Sequence, residues 1–153
     1  MRKFLLASLA ITSFGVVMAT PAPITADDDR WETPRLKQCL EELGYEPTEI
    51  NEKKWEIKLA KGNYNIPVAT ELSASGNYIW LTARLADSPS DEKAGRLLRR
   101  NAKIQPSQFY VSDKGSLLIG LTCDNRAMTN AVFRKALDKL TDDIVASAED
   151  WGK

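Results

Sequence analysis

The chain has 153 residues, 43% apolar and 27% charged, with 21 basic against 21 acidic side chains, a composition fit for one soluble domain with a core of useful size. It contains no histidine and only two cysteines, which removes the commonest general base and rules out zinc sites built from Cys and His. Without its first nineteen residues the charge turns slightly acidic, so neither nucleic acid nor an anionic membrane surface is an expected partner.

Met1 to Ala19 reads as a secretory signal peptide. Arg2 and Lys3 form the basic start, Phe4 to Met18 the apolar centre, and Val17-Met18-Ala19 the cleavage region. The apolar run falls short of the roughly 20 residues a spanning helix needs. Residues 20–32, Pro- and Thr-rich and then acidic at Asp27-Asp28-Asp29, are expected to be a disordered linker. The domain proper is expected over residues 33–151.

Thr33 as N-cap and Pro34 as first helical residue open helix one. Leu36, Cys39, Leu40 and Leu43 form its apolar stripe, and Gly44 stops it. Three strands follow. Trp55, Ile57 and Leu59 alternate with Glu56 and Lys58, and Lys61-Gly62-Asn63 makes a turn. Tyr64, Ile66 and Val68 alternate in the next strand, where Pro67 demands an edge or a break. After Ser75-Gly76-Asn77, the strand Tyr78 to Leu85 sends Ile79, Leu81, Ala83 and Leu85 one way, and Tyr78, Trp80, Thr82 and Arg84 the other.

Ser88 and Pro89 are expected to start helix two, with Ala94, Leu97, Leu98 and Asn101 inward. Arg96, Arg99 and Arg100 near its end suit the helix dipole. A hairpin turning at Asp113-Lys114-Gly115 carries Phe109 and Val111 on one strand, and Leu117, Ile119, Leu121 and Cys123 on the other. The last helix begins at Thr129. Val132, Phe133, Ala136, Leu137, Leu140, Ile144, Val145 and Ala148 face the core, while Lys135, Asp138, Lys139, Asp142 and Asp143 face water. The fold class is therefore α+β in the order αβββαββα, a largely antiparallel five-stranded sheet with helices packed on one face.

These residues resemble the type III secretion chaperone-like fold, shared by Tir-chaperone-type and bacterial sensory-transduction-regulator proteins. The resemblance spans Pro34 to Trp151. It rests on Leu43-Gly44, on the Leu97-Leu98-x-x-Asn101 run, on the Gly115 hairpin and on a long final helix. It implies a small, non-enzymatic, often dimeric protein that binds extended protein segments. The secretion chaperones work in the cytoplasm; the leader-like start here points instead to a periplasmic or secreted protein.

Several site residues follow. Tyr78 and Trp80 on the uncovered sheet face are the candidate partner-binding residues, with Trp55 or Tyr64 joining them if the register allows. Export would let Cys39 and Cys123 form a disulfide closing a loop of about 85 residues, worth roughly 4–5 kcal/mol at most. The alternative is two buried free thiols. Asn125-Arg126 is a polar loop suited to capping, or to holding a carboxylate. No catalytic constellation, metal site or cofactor is expected. The function expected is an exported, non-enzymatic, chaperone-like module that binds a protein partner, or itself as a homodimer, through the open sheet face. The rival reading is a cell-envelope small-ligand sensor or regulatory module.

Overall fold

The computed structural model describes residues 29–152. The expected signal peptide and most of the expected linker lie outside these residues. Helix α1 spans Thr33–Glu42, strands β1 Thr48–Asn51, β2 Lys54–Lys61, β3 Tyr64–Leu72 and β4 Tyr78–Asp87 follow, and then come α2 Asp91–Asn101, β5 Gln108–Val111, β6 Ser116–Asp124, α3 Asn130–Ala146 and α4 Ala148–Trp151. The six strands form one antiparallel sheet in the order β1-β2-β3-β4-β6-β5. The α+β class and the one-sided layering hold. The expected strand count is corrected from five to six, because β1 pairs with β2 while exposing all four of its side chains. A strand without an apolar face leaves no periodic trace in sequence.

Alternation sets which side is covered. Ile57 and Leu59 of β2, Ile66 and Val68 of β3, Ile79, Leu81 and Ala83 of β4, and Leu117, Ile119 and Leu121 of β6 are all buried on one face. Phe133, Leu137, Leu140 and Ile144 of α3 and Leu36, Cys39 and Leu40 of α1 complete that core. Each buried Leu, Ile or Phe stabilises the fold by about 1.5–3 kcal/mol relative to an exposed side chain. Interior strand β3 tolerates Pro67 because β4 lies beside it only from Ala69 to Leu72. Opposite Pro67 stands Lys58 of β2 alone, so the missing N–H removes no bond to β4.

Helix ends explain several shifts. Helix α1 stops in a Schellman arrangement. The Gly44 N–H donates to the Glu41 carbonyl and the Tyr45 N–H to the Leu40 carbonyl, with Gly44 at φ +86°, a conformation glycine adopts at no steric cost. At the other end Glu32, not Thr33, occupies the N-cap position. Helix α2 starts two residues later than expected, because the Ser90 hydroxyl accepts from the Lys93 N–H while Ser88 donates its own N–H to the Gly115 carbonyl. In α3, Thr129 caps the Val132 N–H as expected.

Three inward or outward assignments change. Leu98 is 67% exposed and Val132 half-exposed, since each lies at the margin of its helix's apolar stripe. Asp143 is buried and pairs with Lys139 one turn back. In β4 a bulge falls at Leu85: Arg84 faces Leu118 and Ala86 faces Leu117, so Ala86 joins Leu85, which keeps its expected place against the core. The N-terminal boundary also moves. Trp31, inside the stretch expected to be linker, is buried with its ring 5.6 Å from that of Phe133. A large aromatic ring buries enough area to order the short segment that carries it.

Two asparagines act as backbone surrogates. The Asn125 side chain accepts from the Trp31 N–H at 3.1 Å and donates to the Trp31 and Gly76 carbonyls, both at 2.8 Å. Asn101 does the same at sheet edge β5, accepting from the Phe109 N–H at 2.7 Å and donating to the Phe109 carbonyl at 3.1 Å. That edge is thereby blunted against pairing with another chain.

Candidate functional site

The face of the sheet opposite the helices carries the next set of residues in the alternation. Cross-strand partners share a face, so Trp80 stands beside Thr122 and Glu71, Tyr78 beside Asp124, Thr82 beside Gly120, and Tyr110 beside Leu118. Tyr78, Trp80 and Tyr110 are 44%, 46% and 44% exposed. Between Trp80 and Tyr110 lies a trough of about 360 Å³ that Thr82, Gln108, Gly120 and Thr122 also line. Gly120 makes room for it. A Cβ at that position would stand 3.2 Å from Cε1 of Tyr110 and 3.5 Å from the Leu81 carbonyl oxygen, closer to the ring than such atoms normally come.

Charges border this aromatic strip in pairs. Lys54 meets Glu71 at 3.0 Å, Arg84 meets Asp87, and Arg126 Nε donates to Asp124 at 3.0 Å. The hydrogen bonds from Arg126 bring the Asp124 carboxyl down to about 2. Arg126 is thus engaged by its own neighbour, and Asn125 serves the backbone. The strip offers flat apolar area, hydroxyls and a backbone-lined dip. Among the described residues no group of three or more Cys, Asp or Glu side chains could hold a metal ion.

Tyr78 and Trp80 therefore share the uncovered face. Trp55 and Tyr64 do not join them, which corrects the outward placement expected of the pair. Trp55 has the same parity as Ile57 and Leu59 and is only 4% exposed beneath the helices. Tyr64 faces Lys61 at the far end of β3, on the helix side, with its ring 5.9 Å from that of Trp151. Tyr110 and Gly120 escaped sequence reading. The signal was the same alternation, since Phe109, Ile119 and Leu121 are inward and the residues between them must point out.

The cysteines are not bridged. Cys39 and Cys123 are free and buried, and burial pushes both thiols up to about 11. This corrects the disulfide expectation. Each thiol packs as a small apolar group in the core cluster.

No protein-family model matches the chain, and no curated protein matches it in sequence. Solved structures do match. One chain of the heterodimeric ExoU-SpcU complex from the type III secretion system of Pseudomonas aeruginosa matches at TM-score 0.55 and 14% identity over 74% of this chain and 95% of its own. The Yersinia pestis type III secretion chaperone SycH, in complex with a fragment of YscM2, gives 0.51 and 16% over 74% and 97%. YbjN from E. coli gives 0.57 and 17% over 76% and 90%. The chain has the type III secretion chaperone-like fold. The sequence resemblance to that fold is thereby upheld, and the blocks that carried it have structural roles. Leu43-Gly44 ends α1, Asn101 holds β5, and Gly115 turns the β5–β6 hairpin. Type III secretion chaperones are cytoplasmic proteins, so the expected periplasmic or secreted location is withdrawn.

Proposed function

We propose that this protein is a non-enzymatic, chaperone-like module that binds an extended segment of another protein on its open sheet face, with Trp80 and Tyr110 as the principal anchors. The observation that carries this reading is the row of three half-exposed rings, Tyr78, Trp80 and Tyr110, on a face that no helix covers among the described residues. Exposed aromatic rings beside a recess are what hot spots are made of, because they bury much area at little entropic cost. Several structures of the same fold hold two different proteins together: SchA with HopA1, ExsC with ExsE, and SycH with a fragment of YscM2. An extended strand-like segment fits the geometry, since its alternate side chains meet a pleated face at the spacing of that face's own rows.

The test uses the full chain and an array of peptides with apolar and aromatic side chains at alternate positions. Binders to the unaltered protein are then measured against Trp80→Ala and Tyr110→Ala. Each substitution is expected to cost about 2 kcal/mol or more of binding while leaving thermal unfolding unchanged. Peptides that bind both variants as well as they bind the parent would refute the reading. A solution mass that doubles with concentration and falls to monomer in Trp80→Ala would make a second copy the occupant of the same face.

A further inference from the structure

The protein-binding reading concerns one face; a second surface stands on its own evidence. Along one side of α2, Arg96, Arg99 and Arg100 fall at i, i+3 and i+4, and Lys103 follows just past the helix end. The helical spacing sets the three arginines on neighbouring turns, where like charges repel. With Asp150 they line a cleft of about 440 Å³ between α2 and α4. Two of the four are compensated. Arg96 meets Glu92 at 2.9 Å, and Arg100 lies 3.7 Å from Asp150 while donating to the Ala146 carbonyl at 2.7 Å and the Ser147 hydroxyl at 3.2 Å. Among the described residues no acidic side chain pairs with Arg99 or Lys103. The helix dipole accounts for positive charge in the last turn only; it accounts neither for Arg96, above that turn, nor for Lys103, past the helix end.

We infer that this cleft binds an acidic segment of a protein partner, with Arg99 and Lys103 contacting its carboxylates and Arg100 fixing the cleft wall. Arginine presents a planar fork matched to carboxylates, and Arg100 is already immobilised by its bonds to the α3–α4 junction. An acidic occupant relieves the repulsion along the stripe.

The probe is a fluorescent hexaglutamate peptide titrated into the full chain at low salt, with inorganic phosphate as competitor. Saturable binding is expected, weakening as salt rises. The double variant Arg99→Ala/Lys103→Ala should bind about tenfold more weakly or worse, while melting no lower than the parent because neither side chain has an acidic partner in the fold. Trp80→Ala should bind hexaglutamate like the parent, so that failure of the aromatic face and failure of this cleft give different results. The inference is overturned if no saturable binding appears at low salt, if the double variant binds unchanged, or if phosphate displaces the peptide at equal carboxylate-to-phosphate concentration, which would make the cleft a site for small anions.

Discussion

Asn125→Ala is the most discriminating substitution for the architecture. Its side chain makes three hydrogen bonds, two clamping both backbone groups of Trp31 and one holding the Gly76 carbonyl in the β3–β4 turn. Asn125 is fully buried and Trp31 nearly so, so the groups left behind have poor access to water. At about 1 kcal/mol for each bond the loss is about 3 kcal/mol. For a domain of this size that lowers the melting temperature by about 10 °C. Asn125→Asp should be worse than alanine at neutral pH, because a carboxylate would face two carbonyl oxygens. The assay is urea unfolding followed by tryptophan fluorescence, with Trp31→Ala and the double variant completing a cycle. The clamp acts through Trp31, so the two single losses should exceed the double loss clearly. A stability change near zero for Asn125→Ala, or strict additivity with Trp31→Ala, would refute the claim that this amide ties the N-terminal segment to the domain.

Asn101→Ala should cost about 1–2 kcal/mol through the two bonds to Phe109 and should promote concentration-dependent association at the freed β5 edge, read by light scattering; an unchanged mass would show that α2 alone guards the edge. Cys39 and Cys123 should resist alkylation in the native protein and react once it is unfolded. Their folded values, about 11, lie above an ordinary thiol near 9.0, so the stability they confer is complete below pH 9 and drains away between 9 and 11. A pH series of urea midpoints checks this, and the double Cys→Ala variant should flatten the decline. Gly120→Leu should fill the trough beneath Tyr110 and weaken peptide binding with little change in helix content, measured by circular dichroism and titration; binding left intact would remove the trough from the docking site.

How much of this was legible in the sequence can be judged residue by residue. Alternating burial makes most of the sheet legible, Trp55 and Tyr64 excepted. Ile57 and Leu59, Ile79 and Leu81, and Ile119 and Leu121 announce a covered face, and by the same parity Tyr78 and Trp80 announce the bare one. Pro67 announced a local interruption that the register supplies. The failures share a cause, which is that backbone events carry no apolar signature. Strand β1 is held through its main chain, the Leu85 bulge shifts parity without changing composition, and both Ser88 and Ser90 are chemically able to cap α2. Trp31 was lost to its neighbours, since an acidic run beside it hid a residue that anchors by ring area alone. Tyr110 lies on a four-residue strand with one buried side chain, too short to set an alternation, and its face is fixed by pairing with Leu118.

Consider finally the half of β3 that holds Pro67. From Ile57 to Lys61 and from Tyr64 to Val68, β2 and β3 pair with one another only, since β1 reaches no further than Lys54–Glu56 and β4 begins its pairing at Ala69. This flap is held from the helix side by the tilted Tyr64–Trp151 ring contact and by Lys61 on Asp142. Hydrogen exchange should therefore proceed in two tiers, the flap amides turning over well before those of β4 and β6. Opening that corner uncovers Ile57, Leu59, Ile66 and Val68, yet it leaves the central strands, and with them the aromatic row, in place.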